Sequence, residues 1–277
     1  MSKLTKKIRR RIYRELKHLN QDLLTPNHKE KKIVFIMGAQ RSGTTMLTNL
    51  FERDKTIRVY QEFSRLTPNL RLIPYPKVQE QINRNHAGVI VLKPLVESQN
   101  IDQLFSFFPE SKSIWAFRHF RDVGSSNLKK FGLRNGIDDL RPIYHEDNEN
   151  WRVEGISNET KAIIKDYFSE DMSPRDAAAL FWYTRNILFF ERDLTLNDRV
   201  YLLKYRDLVS EPSKKIKEVY DFVGIEHPKY SLVSDVNASS IGKGKQFELS
   251  PEIETLCEEL WNRLNTALKI QNKKESR

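Results

Sequence analysis

The sequence predicts a three-layer α/β/α fold, a single domain built around a central parallel sheet of about five strands. Five short apolar runs alternate with longer stretches of helical periodicity. Because most of these runs are continuously apolar at their centres, they are typical of strands buried on both faces, and parallel strands need helical crossovers on those faces. The predicted strands are 32–38, 56–62, 88–94, 113–119 and 199–205. The predicted helices are 44–53, 98–108, 122–131, 174–192, 211–223 and 249–265.

The composition divides the chain into three parts. Residues 1–30 form a basic leader with helical periodicity, residues 31–271 form the α/β domain, and residues 272–277 are expected to be a frayed tail. Inside the domain, the stretch 132–172 is polar, acidic in places and weakly periodic. A long insertion of this kind is typically functional or poorly ordered.

Most of the positive charge lies in the leader. Residues 1–17 carry eight Lys/Arg and one Glu, so they contribute +7 of the net charge of +10. The mildly basic remainder argues against a nucleic-acid-binding protein and suits one anionic small molecule in a local site. Two interpretations of the leader stay open: a helix that docks with its basic face in solvent, or a helix that contacts an anionic membrane or partner through residues 1–19. Its apolar residues recur at spacings of four and three: Leu4, Ile8, Ile12, Leu16 and Leu19.

The sequence predicts a chain that is neither secreted nor membrane-spanning. It contains neither an apolar stretch of spanning length nor the apolar core of a signal peptide. The single Cys257 excludes an internal disulfide and suits a reducing compartment. We therefore expect a cytoplasmic protein.

The segment GAQRSGTT at 38–45 follows the first predicted strand and predicts a phosphate-binding loop. Gly38 and Gly43 allow close backbone approach, and the amides that begin the next helix point at an anion. Arg41 adds a planar cation. A nucleoside-triphosphate loop would place a lysine where Thr44 stands, to reach the β- and γ-phosphates beside Mg²⁺. Its absence disfavours a kinase or NTPase, and no predicted strand ends in an obvious metal-binding Asp. The hydroxyl groups of the loop belong to Ser42, Thr44 and Thr45.

A second strand, loop and helix carry the segment FRHFRDVGSSN. Arg118 ends the predicted strand, and Ser126 follows eight residues later. If Asp122 caps the helix, Ser126 returns to the carboxyl edge of the sheet, where ligands of open α/β folds bind. The pair would then hold a second phosphate group.

Four segments together resemble the sulfotransferases. GAQRSGTT resembles their phosphosulfate loop, and RHFRDVGSS is similar to their 3′-phosphate motif. LLKYRDLVSEPSKKIKEVYDFVGI at 202–225 resembles their YEDL…P segment, with Arg206 where Glu is usual, and SSIGKGKQFELSPE at 239–252 resembles the late basic segment that closes over the nucleotide. The matches occur in family order across 33–265.

The resemblance implies a P-loop NTPase-like sulfotransferase fold and an enzyme without a catalytic metal. Its donor would be 3′-phosphoadenosine 5′-phosphosulfate (PAPS), and its product 3′,5′-adenosine bisphosphate (PAP). It implies three groups of donor-binding residues: Gly38, Arg41, Ser42, Gly43, Thr44 and Thr45 at the 5′-phosphosulfate; Arg118 and Ser126, helped by Lys243 or Lys245, at the 3′-phosphate; and Tyr205 near the adenine.

The resemblance also suggests the catalytic groups. Glu62 ends the second strand, 21 residues after Arg41, a placement similar to the catalytic glutamate of tyrosylprotein sulfotransferases. Cytosolic small-molecule members carry a histidine two residues after a strand-end lysine, where this chain has Leu95. We therefore expect Glu62 as the general base, with Lys93 and Arg41 stabilising the transferred group. His119 and Glu97 are reserve candidates for the base.

The acceptor follows from the resemblance alone. The glutamate type favours a hydroxyl of a carbohydrate or glycolipid, and it also admits peptide tyrosine or a small molecule. An ATP-dependent kinase and a non-catalytic binding protein are the further alternatives. The insertion 132–172 is expected on the acceptor side. Trp151 and Tyr144 would stack on an acceptor or serve ordinary packing, whereas Trp182 and Asn186 belong to the core.

Overall fold

Five parallel strands form one sheet in the order β2-β3-β1-β4-β5, in a computed structural model that describes residues 3–24 and 26–275. The predicted parallel sheet is confirmed, with strand ends trimmed where polar residues enter the loops. β1 is the central strand, with β2 and β3 on one side of it and β4 and β5 on the other. The strand order therefore reverses at β1, and the loop after it lies where ligands of such sheets bind. The strands are β1 (Lys32–Gly38), β2 (Ile57–Tyr60), β3 (Val89–Leu92), β4 (Lys112–Phe117) and β5 (Val200–Lys204).

Helices cover both faces of the sheet and complete three layers. Successive residues of β1 serve opposite faces. Val34 and Ile36 belong to the core formed with α2 and α10, whereas Phe35 and Met37 belong to the larger core formed with α8 and α11. The helices are α1 (Lys3–Leu24), α2 (Thr44–Arg53), α3 (Tyr75–Arg84), α4 (Ile101–Phe107), α5 (Phe120–Phe131), α6 (Asn135–Tyr144), α7 (Asn158–Tyr167), α8 (Pro174–Glu191), α9 (Tyr205–Ser210), α10 (Pro212–Val223) and α11 (Pro251–Glu275).

The insertion 132–172 is an ordered part of the domain. It contains α6 and α7, which the weak periodicity did not predict because both helices are short and α6 contains Pro142. A Cβ added at Gly136 would lie 2.6 Å from the backbone nitrogen of Ala178, so α6 packs closely on α8. The alternative of a poorly ordered insertion was wrong. The side chains that α6 and α7 bury are those of Ile137, Leu140, Ile143 and Ile164.

The C-terminal helix extends well past residue 265. It continues to Glu275 because it packs along edge strand β5: the Gln271 side chain accepts a hydrogen bond from the Leu202 nitrogen at 2.6 Å and donates to its oxygen at 3.4 Å. Lys274 also pairs with Asp198. The expected frayed tail is therefore helical from 272 to Glu275, and residues 276–277 lie outside the described residues.

The leader helix α1 docks on the domain through its polar face. Arg14 Nε lies 2.8 Å from Glu52 Oε2, and Lys17 Nζ donates to the Glu52 oxygen at 2.7 Å. Arg58 of edge strand β2 binds both carboxylate oxygens of Asp22, at 2.5 and 2.8 Å. The docking interpretation, which placed the basic face in solvent, was wrong about the face, because Arg14 and Lys17 contact the domain. The apolar side chains Ile8, Ile12, Leu16 and Leu19 are exposed, and the side chain of Leu4 lies outside those described.

In the two described ranges, 3–24 and 26–275, no helix combines the length and apolarity needed to cross a membrane.

Acidification is expected to destabilise the docked helix through His18. Its ring centroid lies 6.0 Å from that of Tyr60. Burial, followed by the nearby positive charge of Arg58, lowers the pKa of His18 from 6.5 to about 3. Between these values the unfolded chain binds more protons than the folded one, so stability falls as the pH drops below 6.5. Between pH 7 and pH 5, the free energy of unfolding should fall by about 1 kcal/mol less in His18→Gln than in the unchanged protein, allowing for solvent screening of a partly exposed ring.

Denaturant unfolding of both proteins at the two pH values measures this difference. An equal loss in both would contradict the assignment to His18.

Candidate active site

The loop after β1 is held tightly against its neighbours. Gly38 and Gly43 have left-handed backbones, with φ of 109° and 95°. A Cβ at Gly38 would lie 2.2 Å from the Ala116 oxygen, and one at Gly43 would lie 2.2 Å from the Tyr205 ring. Arg41 also adopts positive φ, 67°, which a residue with a Cβ reaches only at a cost in energy. Both glycines are therefore required by geometry, and the fold holds Arg41 in a strained position.

Polar groups of the loop combine internal bonding with unused capacity. The Gly38 nitrogen donates to Ser98 Oγ at 3.2 Å. Ser42 is 1% exposed, and its hydroxyl has no hydrogen-bond partner within the described part of the chain. A buried hydroxyl without a partner is costly, so it favours a ligand that supplies one. No sequence motif indicated Ser98, which stands in a 3₁₀ helix after β3.

Lys93 and Glu62 meet beside this loop. Lys93 Nζ lies 2.8 Å from Glu62 Oε2 and donates to Thr45 Oγ1 at 2.9 Å. The Lys93 side chain is 2% exposed, whereas that of Glu62 is 28% exposed. The backbone places them together because the Lys93 nitrogen bonds the Tyr60 oxygen at 2.9 Å, which aligns the ends of β2 and β3. The carboxylate therefore reaches solvent while the ammonium is enclosed.

The second predicted motif contacts the first directly. Arg41 Nε donates to Ser126 Oγ at 3.0 Å. Burial, followed by the positive charge of Arg118, lowers the pKa of Arg41. Arg118 is itself 8% exposed, and its Nε has no hydrogen-bond partner among the described residues. Two guanidinium groups brought this close are an arrangement that a multiply charged anion stabilises.

Asp122 organises the segment that covers Arg118. Its carboxylate pairs with Arg118 at 3.3 Å and accepts hydrogen bonds from the nitrogens of Gly242, at 3.2 Å, and Gly244, at 2.8 Å. The prediction that Asp122 caps α5 was wrong. His119 takes that role, since its Nδ1 accepts from the Arg121 nitrogen at 3.3 Å. Asp122 instead fastens the late basic segment to the start of α5.

A cavity of about 280 Å³ lies between this segment and the sheet edge. The Arg118 guanidinium stands 4.6 Å from the centre of the Tyr205 ring, and the Tyr205 hydroxyl lies 2.5 Å from Ser240 Oγ. Lys245 lines the cavity. Lys243 is exposed outside its lining, with its carbonyl 3.5 Å from Ser125 Oγ. The lining residues are Arg118, His119, Arg121, Asp122, Lys204, Tyr205, Arg206, Ile241, Gly242, Gly244, Lys245 and Trp261.

The two reserve candidates for the base are engaged elsewhere. Glu97 is 2% exposed and binds Arg71 Nε at 2.6 Å, the Leu72 nitrogen at 3.1 Å and Asn100 Nδ2 at 2.9 Å. His119 caps α5, and burial lowers its pKa to about 4. Both side chains therefore have structural contacts that a proton acceptor for a substrate would have to give up.

Aromatic residues named from the sequence take part in packing. Trp182 Nε1 donates to the Arg118 oxygen at 2.9 Å, so α8 fixes the backbone of that strand end. The Trp151 ring lies beside the guanidinium groups of Arg152, at 4.5 Å, and Arg185, at 5.1 Å. The Tyr144 ring packs 4.9 Å from that of Phe168, and Asn186 donates to the Trp182 oxygen at 2.8 Å.

Within the described ranges, no group of three or more His, Cys, Asp and Glu side chains is arranged to hold a metal ion.

Three solved structures similar to this chain are sulfotransferases. The sulfotransferase domain from the curacin biosynthetic pathway is 14% identical, covers 86% of this chain and 99% of its own, and superposes with a TM-score of 0.52, which shows a shared fold. The sulfotransferase from Alicyclobacillus acidocaldarius is 12% identical over 90% and 96% of the two chains, with a TM-score of 0.48. Mouse sulfotransferase SULT7A1, complexed with PAP, is 15% identical over 84% and 72%, with a TM-score of 0.36.

No curated protein matches the chain. The model of the sulfotransferase domain family matches residues 31–270, which include the loop after β1, the Lys93–Glu62 pair and the segment held by Asp122. The match covers most of the sequence, and the chain belongs to the PAPS-dependent sulfotransferase family and is a sulfotransferase.

Proposed function

We propose that this sulfotransferase moves a sulfuryl group from PAPS to a hydroxyl of a carbohydrate or glycolipid, with Glu62 as the general base. The observation that carries the proposal is the contact of buried Lys93 with both Glu62 and Thr45. It joins a solvent-accessible carboxylate to the phosphate-binding loop through one cation. Glu62 as the proton acceptor and Lys93 as the charge stabiliser would therefore lie on either side of the transferred sulfuryl group.

The residues around the loop fit a donor with two separate anionic groups. Arg41, the loop amides and the hydroxyls would hold the 5′-phosphosulfate, and the unpartnered Ser42 hydroxyl supports this assignment. Arg118 and Ser126 would hold the 3′-phosphate, supported by the unpartnered Arg118 Nε and by the adjacent Lys245. Tyr205 would lie under the nucleoside.

The proposed reaction is a direct in-line displacement on sulfur. Glu62 takes the proton of the acceptor hydroxyl while the oxygen of that hydroxyl forms a bond to sulfur. The bond from sulfur to the 5′-phosphate oxygen breaks, and its electron pair stays on that phosphate. Lys93 and Arg41 offset this negative charge, which grows in the transition state. As Lys93 interacts more strongly with the leaving oxygen, its ion pair with Glu62 weakens. The carboxylate then becomes a better base.

Phe63 is suited to contact an acceptor that has an apolar face. It follows Glu62 directly, is 73% exposed, and has a left-handed backbone with φ of 58°. Strain in an exposed aromatic residue is unfavourable by itself and is typical of functional sites. A ring beside the base offers an apolar face to the C–H groups of a sugar. A peptide tyrosine would also stack on such a ring, so both acceptor classes belong in the assay.

Arg118→Ala is expected to weaken PAP binding by about 30- to 100-fold, the equivalent of roughly 2–3 kcal/mol for a lost charged hydrogen bond. The measurement is calorimetric titration without metal, set against ATP with Mg²⁺. Arg84→Ala is the matched control, since Arg84 ends α3 in an exposed pair with Glu80 and should bind PAP normally. Preference for ATP with Mg²⁺ would reject the donor assignment and favour the kinase alternative.

Glu62→Gln is expected to lower kcat by a factor of about 10²–10⁴, because the amide cannot take the acceptor proton. PAP affinity should stay within about twofold, since the amide oxygen can still accept from Lys93. Turnover is measured with saturating PAPS, and binding by calorimetry. Normal turnover in the variant would rule out Glu62 as the base.

Phe63→Ala is expected to raise the acceptor KM by about tenfold, the loss of one stacking contact of roughly 1–1.5 kcal/mol. The kcat and the PAP affinity should change little. The control is Phe131→Ala, which removes another exposed ring, 47% accessible, at the end of α5. Initial rates with a glycolipid and with a tyrosine peptide measure the effect. An unchanged KM for both acceptors would remove Phe63 from the acceptor site.

A further inference from the structure

The leader helix α1 holds a row of apolar side chains in solvent, here called the apolar stripe. Its members are spaced by four, four, three and four residues, which places them on one helix face. Each is more than half exposed, and the row is about 22 Å long at 1.5 Å per residue. The apolar stripe consists of Ile8, Ile12, Leu16, Leu19 and Leu23.

The apolar stripe points away from the domain because the opposite face of α1 is anchored. Lys17 and Gln21 are 6% and 4% exposed. Gln21 donates to the Lys55 oxygen at 2.8 Å, and Asp22 is held by Arg58. A helix fixed by its polar face cannot turn to bury its apolar face on the same domain. Its exposure is therefore a property of the docked state.

The charge of α1 selects among the surfaces that could cover the apolar stripe. Its 22 residues include eight Lys/Arg and only two acidic residues, Glu15 and Asp22. A second copy packed on the stripe would bring two strongly basic helices together, which repulsion opposes. An anionic bilayer offers the complementary charge and an apolar layer beneath it. A helix that is amphipathic, basic and low in mean hydropathy is the type that lies in the plane of a membrane interface.

The contacts of α1 locate it beside edge strand β2 and the end of α2. Gln21 donates to the Ile57 oxygen at 3.2 Å near the start of β2. Nearer its first residues, Arg14 and Lys17 bind Glu52 close to the end of α2. The apolar stripe faces away from both elements.

We propose that α1 docks the protein on an anionic lipid bilayer, with the apolar stripe inserted at the headgroup level. The docking rests on α1 alone and is independent of the acceptor proposed above.

The test is co-sedimentation of the full chain with vesicles, without donor or acceptor. We expect binding to vesicles of equal parts phosphatidylcholine and phosphatidylglycerol, and little binding to phosphatidylcholine alone. The variant carrying Ile12→Ser, Leu16→Ser and Leu19→Ser should bind at least 100-fold more weakly, at about tenfold per buried apolar side chain. Leu196→Ser, which changes a leucine that is 69% exposed outside α1, is the matched control and should bind normally.

A second variant tests the charge contribution. Lys6→Gln, Lys7→Gln and Arg10→Gln together should weaken binding by about 100-fold, at roughly fivefold per charge, and added salt should weaken binding of the unchanged protein. Calorimetric PAP titration checks that every variant is folded. Vesicle binding is measured without donor or acceptor, so it would still be observed if the proposed function were rejected.

Two outcomes would overturn the proposal. One is equal binding of the unchanged protein and the serine variant to anionic vesicles. The other is absence of vesicle binding; if light scattering then shows a dimer that the serine variant abolishes, the apolar stripe is an interface between two copies.

Discussion

An enclosed ammonium group without a counter-charge is strongly unfavourable, and the arrangement around Lys93 follows from that constraint. Its two partners come from different parts of the chain, Glu62 after β2 and Thr45 at the start of α2. By satisfying one cation, the fold fixes the ends of two strands and the first turn of a helix relative to one another. The carboxylate, the cation and the loop are therefore placed by the same interaction.

The other side of the loop has the opposite electrostatic character. Arg41 and Arg118 lie close enough for each charge to act on the other, and Asp122 is the acidic group that pairs with Arg118. Part of that carboxylate is already engaged by the nitrogens of Gly242 and Gly244. Positive charge is therefore concentrated where the proposal places the phosphates. A site whose positive charges are only partly paired gains stability when an anion binds.

The sheet and the loop were predictable because they depend on local pattern. Apolar runs fix the strands, and parallel strands bring their carboxyl ends to one edge, so Glu62, Lys93 and Arg118 had to lie near the loop after β1. The partners of Asp122 were not predictable, since they lie about 120 residues away in a segment without regular structure. Periodicity also revealed an amphipathic α1 without showing which face docks. That choice depends on backbone oxygens at Glu52 and Lys55, which no side-chain pattern records.

Helices at the two ends of the chain guard the two edges of the sheet. On one side α1 lies along β2, and on the other α11 places Gln271 against the backbone of β5. A strand edge left open is a template for pairing with another chain. Detachment of α1 would uncover the free edge of β2. The few polar contacts that anchor α1 therefore also protect the protein from aggregation by edge-to-edge strand pairing.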